Sequence, residues 1–272
     1  MGIPMTKNLL KAGFPVTVYN RTPDKAKPLT DLGAKLADSA ARLFDTCDVV
    51  VTMVSDDAAV KEIYTSENGL LTNPGEGKTA INTSTVSPET SRYLAEQCAQ
   101  KGVAFLEAPV SGSVKPAEEG QLIILTGGPA EVYEKAKPIL DCLSKLSLHL
   151  GDYGTGSVAK LAINLLVGFN TQGLAETLLF ATKHGVDTKD MLTIINEGAC
   201  GNGTTKAKTP GILSGEFPVA FSIKNYAKDL RLAKEVGADT PLAAAVHDSY
   251  QAALGQHMEN EDVMAILKFL DR

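Results

Sequence analysis

Short apolar runs fill the chain up to Gly151 and stop there, and this change most narrows what the chain can fold into. The runs are Val16–Tyr19, 48–54 (DVVVTMV), 79–83 (TAINT), 103–106 and 122–126 (LIILT). They are strand-length and mostly lack polar alternation, as parallel strands covered on both faces do. Helical stretches lie between them. Ser87 reads as an N-cap with Pro88 at the first position, opening a helix that runs to about Lys101-Gly102. A second helix is expected over 130–143. Such alternation predicts a right-handed, doubly wound sheet. From Ser157 the chain reads SVAKLAINLLVGFNTQGLAETLLFATKHG, with no proline and apolar residues on more than one face. A helix of that kind is buried all round. Only helices are expected after it, over 188–197, 225–236, 240–254 and 261–270, with Asp187 and Pro241 as start signals. The expectation is an α/β domain over 1–150 and an all-α domain over 151–272, joined by the long helix.

The first residues raise a separate point. Gly2-Ile3-Pro4 reads as a helix start, Gly13 as its C-terminal stop, and Val16–Tyr19 as a strand followed by Asn20-Arg21-Thr22. That is the second half of a βαβ unit. The expectation is that the natural chain starts upstream, with a strand ahead of Met1, and that without this strand the sheet is split or repaired.

Composition closes off other classes. Hydrophobic residues make up 44% and charged residues 21%, as in an ordinary folded enzyme. A net charge of −6 argues against non-specific binding to nucleic acid or an anionic membrane. No run reaches the roughly 18 apolar residues of a membrane span. The start has no signal-peptide core, and its match to MGxxx[ST] reads as a helix start that happens to fit a lipidation pattern. Cys47, Cys98, Cys142 and Cys200 are widely spaced, which reads as free thiols in a reducing, cytoplasmic setting. Neither they nor His149, His184, His247 and His257 show ligand spacing, so no metal site is expected.

Four stretches carry chemistry. In a dinucleotide fold a strand enters GxGxxG and the pyrophosphate sits on a helix N-terminus; here Gly2 is the candidate for the last glycine. After the next strand an acidic residue would bond a ribose 2′-hydroxyl. This chain has Asn20, Arg21 and Thr22 instead, a set suited to a 2′-phosphate, which favours NADP(H) over NAD(H). The second stretch is EAPVSGS, where Ser111, Gly112 and Ser113 offer hydroxyls and N–H groups to a carboxylate, or simply make a turn. Glu107 there is negative and a poor carboxylate ligand. The third is GDYGTGSVAKLAIN. Its glycines would let a flat ring approach the backbone, and Lys160 and Asn164 lie one turn apart on an apolar helix. Lys160 either snorkels to solvent or faces a polar cleft. In a cleft it would give a proton to a carbonyl oxygen as hydride arrives, its pKa lowered by burial. The fourth is FSIKNYAKDL, where Lys228 and Asp229 also read as a solvated face.

Together these stretches resemble the β-hydroxyacid dehydrogenase family over essentially the whole chain. EAPVSGSVKPAEEGQLIIL and the NRT after the strand look most like its glyoxylate/succinic semialdehyde reductase branch. The resemblance implies a Rossmann-type fold whose first strand and first two glycines lie outside this sequence, followed by an all-helical domain that forms homodimers or homotetramers. It implies Lys160 as the catalytic residue and Ser111, Gly112, Asn164, Phe221 and Asp229 at the substrate. It also implies Gly2, Asn20, Arg21, Thr22, Met53, Val54, Ser55, Thr85 and Lys228 along the cofactor. The expected activity is NADPH-dependent reduction of a small aldehyde acid. Its alternatives are oxidation of 3-hydroxyisobutyrate or another 3-hydroxy acid, and a non-catalytic dimerising relative. An imine reductase fits less well, because that related group usually lacks the lysine.

Overall fold

The computed structural model describes residues 1–271. It divides into two compact units, Met1–Lys160 and one beginning at Leu161.

The first unit opens with helix α1 (Gly2–Lys11) and strand β1 (Thr17–Val18), short helix α2 (Lys27–Thr30) and strand β2 (Lys35–Leu36). Short α3 (Leu43–Thr46) leads to β3 (Val49–Thr52), α4 (Asp57–Thr65), β4 (Thr79–Asn82), α5 (Pro88–Ala99) and β5 (Ala104–Glu107). Then come β6 (Val110–Ser111), α6 (Val114–Glu118), β7 (Leu122–Thr126), α7 (Ala130–Leu143) and β8 (Ser144–His149). The strands pair in three groups: β1–β2, β3–β4–β5 and β6–β7–β8. All pairs are parallel except β6–β7. A bridge between Glu107 and Gly127 ties the end of β5 to the end of β7.

The apolar strand runs behave as their lack of alternation predicts. Along β4 and β5, Ala80 and Phe105 pack into one cluster with Val60, Tyr64 and Leu94, while Ile81 and Leu106 pack into another with Leu122, Ile124 and Leu140. Successive side chains point to opposite faces, and helices cover both. Met5 of α1 sits in the second cluster. The caps expected from sequence are present: Ser87 accepts from the Thr90 N–H, and Asp187 accepts from those of Lys189 and Asp190.

Helix α8 (Thr155–Lys183) begins in the first unit and continues into the second. The second unit otherwise holds α9 (Thr188–Glu197), α10 (Gly203–Ser214), α11 (Ile223–Glu235), α12 (Pro241–Leu254) and α13 (Ile266–Leu270). Its core gathers Leu174, Leu178, Tyr226, Leu230, Val246 and Tyr250. The two tyrosines meet edge to face with ring centroids 4.6 Å apart. Gly168 of α8 makes this packing possible, because a Cβ there would lie 1.7 Å from the Tyr226 hydroxyl.

Several elements differ from the sequence reading. Strand β1 is two residues rather than four, and the last helix is a 3₁₀ turn (Val263–Ala265) followed by the short α13. The sequence reading has no counterpart to the short strands β2, β6 and β8 or to helices α2, α3, α4, α6 and α10. Among the described residues no helix is long and apolar enough to cross a membrane.

Candidate active site

The carboxyl ends of β3 and β4 are tied together by hydroxyls. Thr83 donates both its N–H and its Oγ1 to the Thr52 carbonyl, at 2.8 and 2.7 Å. The Val54 N–H donates to Ser84 Oγ at 2.9 Å. These bonds fix Met53 and Val54, both half-buried, beside the half-buried Thr85. Ser55 is exposed and donates to the Asp56 carboxylate. Open α/β sheets place their ligands at this end of the strands.

Two features of the first unit fit an anionic dinucleotide. Helix α1, which starts at the half-buried Gly2, has no side-chain cap and no acidic residue in its first turn. Its N–H groups and dipole therefore favour a phosphate. After β1, Asn20, Arg21 and Thr22 are all exposed, and Asn20 Oδ1 accepts from the Thr22 N–H at 2.9 Å, a local turn that shapes the loop carrying the guanidinium.

The EAPVSGS segment is more ordered than a plain turn. Ser111 is half-buried and paired with Ile123 across the antiparallel β6–β7 ladder. Gly112 follows, exposed, at φ 130°, where a side chain would be strained and a Cβ would meet Leu122 at 2.9 Å.

Lys160 is 8% exposed, so it does not snorkel to bulk water. The glycines ahead of it are demanded by the chain itself. Gly154 sits at φ 100°, where a side chain would be strained, and a Cβ at Gly156 would meet the Leu125 carbonyl at 2.5 Å. One turn past Lys160, Asn164 is 4% exposed and donates its Nδ2 to Asp229 Oδ2 at 2.6 Å. A carboxylate only accepts, so this bond decides which way the Asn164 amide faces. The Tyr226 hydroxyl holds the Asn164 carbonyl at 3.1 Å. Burial first, then the nearby Tyr250 and Asp229, raise the Tyr226 pKa, so the phenol stays a donor.

Asp229 is 3% exposed and Lys228 is also largely covered, with Nζ 2.8 Å from Asp229 Oδ1. The pair is therefore no solvated face. Phe221 is half-buried, its ring edge-on to Tyr226 with centroids 5.5 Å apart. Its backbone N–H donates to Asp262 Oδ2, and the Val263 N–H donates to its carbonyl. Asp262 is buried and also accepts from the Ala220 and Met264 N–H groups and from Lys208. Sequence reasoning missed Asp262, Tyr226 and Ser84. Only the hydroxyl-rich NTSTVS could have pointed to the last.

The comparisons with known proteins follow these two units. Residues 1–151 match the model described as the NAD binding domain of 6-phosphogluconate dehydrogenase. Residues 154–270 match the one described as NAD-binding of NADP-dependent 3-hydroxyisobutyrate dehydrogenase. Glyoxylate/succinic semialdehyde reductase 2, chloroplastic, of Arabidopsis thaliana is 38% identical over 99% of this chain and 76% of its own length. The 3-hydroxyisobutyrate dehydrogenase of Pseudomonas aeruginosa is 35% identical over 96% and 91%. The solved structure of Psf3 in complex with NADP+ and 2-OPP superposes with a TM-score of 0.91 at 26% identity, covering 99% of this chain and 96% of that one. Fold and matches together define an oxidoreductase acting on CH–OH groups and built on a nicotinamide-dinucleotide-binding domain. The chain belongs to the β-hydroxyacid dehydrogenase family of NAD(P)-dependent enzymes.

Proposed function

We propose that the protein reduces a small aldehyde acid of the glyoxylate or succinic semialdehyde kind to its hydroxy acid, with NADPH as donor and Lys160 as general acid. The observation that carries the reading is a buried lysine one helical turn before a buried amide whose direction a carboxylate sets. Removing a lysine from water is costly, and a chain without chemical use for it would place it at the surface. The Arabidopsis relative, whose name gives that activity, supports the substrate class.

When bound, the reduced nicotinamide supplies a hydride to the aldehyde carbon. Lys160 holds its proton toward the aldehyde oxygen and releases it as charge develops there. Asn164 orients the substrate through the amide that Asp229 aims, and Phe221 and Asp229 line the substrate's side. Ser111 and Gly112 hold the substrate carboxylate. Gly2 and the α1 N-terminus receive the pyrophosphate, Met53, Val54, Ser55 and Thr85 lie along the cofactor, and Lys228 adds a positive charge toward it. Asn20, Arg21 and Thr22 hold the 2′-phosphate, for which the planar guanidinium fork suits bidentate bonding. The reading assigns the α/β domain to residues 1–150 and the helical domain to 151–272, in a cytoplasmic homodimer or homotetramer.

Loss of NADPH absorbance with glyoxylate and succinic semialdehyde tests the reading, with NADH and 3-hydroxyisobutyrate oxidation run in parallel. The expected result is faster aldehyde reduction than hydroxy acid oxidation and a preference for NADPH. Arg21→Asp should lower that preference by about tenfold or more, a charge-assisted bond being worth about 1.5–3 kcal/mol. Equal use of both cofactors by the native chain would remove the NADP assignment.

A further inference from the structure

We propose that Glu107 is a positioning residue for Lys160, a role that rests on the reading of Lys160 given above. Glu107 ends β5 and is fully buried, yet both its oxygens are engaged at the start of α8. Oε1 accepts from the Gly154 N–H at 2.7 Å and the Gly156 N–H at 2.8 Å. Oε2 accepts from Ser157 Oγ at 2.8 Å. Ser157 Oγ also lies 2.9 Å from Ser91 Oγ on α5. Each hydroxyl has one proton, and Ser157 gives its own to the carboxylate, so Ser91 donates to Ser157. The first turn of α8 is thus tied by a charge to β5 and by a hydroxyl chain to α5. Lys160 follows Ser157 by three residues, on the same side of the helix one turn on.

The backbone is shaped around this carboxylate. The N–H and carbonyl of Glu107 are both bonded to Gly127, each at 3.1 Å. A Cβ at Gly127 would fall 2.2 Å from Glu107 Oε1, and one at Gly156 would fall 3.2 Å from the same atom. A larger residue at Gly127 would push the carboxylate away, and one at Gly156 would crowd it. A negative charge at the positive end of a helix is favourable, and here it is fully desolvated, so it acts as a fixed anchor. Lys160 inherits its place from that anchor. Displacing a reacting group by about 1 Å costs on the order of 100-fold in rate, which sets the size of the expected effect.

The experiment uses the full chain with Glu107→Ala, Glu107→Gln, Ser157→Ala and Lys160→Ala, and reads kcat, KM and amide exchange in the cofactor-free protein. Glu107→Ala should lower kcat by about 30- to 100-fold while the aldehyde KM stays within about threefold. The Gly154 and Gly156 amides should exchange about tenfold faster or more. Glu107→Gln keeps an oxygen for the two glycine N–H groups and offers an N–H to Ser157, so it should recover most of kcat and of the protection. Should Glu107→Ala fail to fold, Ser157→Ala carries the test. It keeps both glycine bonds and should lower kcat by about three- to tenfold through the lost hydroxyl tie. Glu107→Ala with native kcat and faster exchange would make the residue a stabilising cap only and overturn the proposal. So would a glutamine variant as slow as the alanine one. If Lys160→Ala keeps native kcat, the general-acid reading falls and this role falls with it. If Lys160→Ala is inactive while the Glu107 and Ser157 variants are native, only the positioning role is lost.

Discussion

Gly168→Ala sets two effects of opposite sign against each other. By helix propensity alone, alanine in the middle of α8 should stabilise by about 0.8–1 kcal/mol. The packing says otherwise. The new methyl would lie 1.7 Å from the Tyr226 hydroxyl and 2.9 Å from both Tyr226 Cζ and Val246 Cγ1. Tyr226 is fully buried between Phe221 and Tyr250 and has no room to retreat. Overpacking of this kind costs about 1–3 kcal/mol. Moving the phenol also breaks its bond to the Asn164 carbonyl, which adds about 1 kcal/mol. The net expectation is a loss of about 1–3 kcal/mol, the sum of these costs less the propensity gain. Tyr226→Phe removes the hydroxyl that makes the closest contact, so in that background Gly168→Ala should cost about 1 kcal/mol less or better. Urea unfolding followed by circular dichroism on the four proteins of this cycle measures both numbers. A stabilising Gly168→Ala, or strictly additive single mutants, would refute the packing argument.

Other outcomes follow from the same structure. Asp229→Ala leaves the buried Asn164 Nδ2 without the acceptor it has now and should cost about 1–3 kcal/mol in stability and lower kcat/KM, while Asp229→Asn, whose amide oxygen can accept, should restore most of both; urea unfolding and steady-state rates check this. Burial pushes the Cys98 thiol up to about 12 from an ordinary value near 9. The unfolded chain then loses this proton first, so the thiol's contribution is whole below pH 9 and is lost as pH rises from 9 to about 12. Cys98→Ala should flatten the fall of melting temperature over that range, and an unchanged slope would count against it.

What could be read from the sequence was what local pattern decides. The β3, β4, β5 and β7 runs are apolar because both faces are covered, and they stood out for that reason. Strand β8 did not, because at its edge Leu146 and Leu148 remain exposed and the run SKLSLH looks like a surface segment. Helix α10 was hidden by Pro210 in its interior, an ordinary stop signal. The Asn202 capping box starts it regardless. At the site, Lys160 and Asn164 were visible as polar residues four apart on an apolar helix. The burial of Lys228 and Asp229 was not, since adjacent opposite charges usually face water and only tertiary packing turns them inward. Glu107 was read as a carboxylate of the wrong sign for the substrate; its partners lie 47 to 50 positions away, beyond any local signal.

The most direct test of the account is the kcat of Lys160→Ala with NADPH and glyoxylate, beside a cofactor-binding titration of the same variant. The account predicts a fall of about 100- to 10,000-fold in kcat, the range a lost general acid produces, with cofactor binding near native. A variant that turns over at the native rate would contradict it.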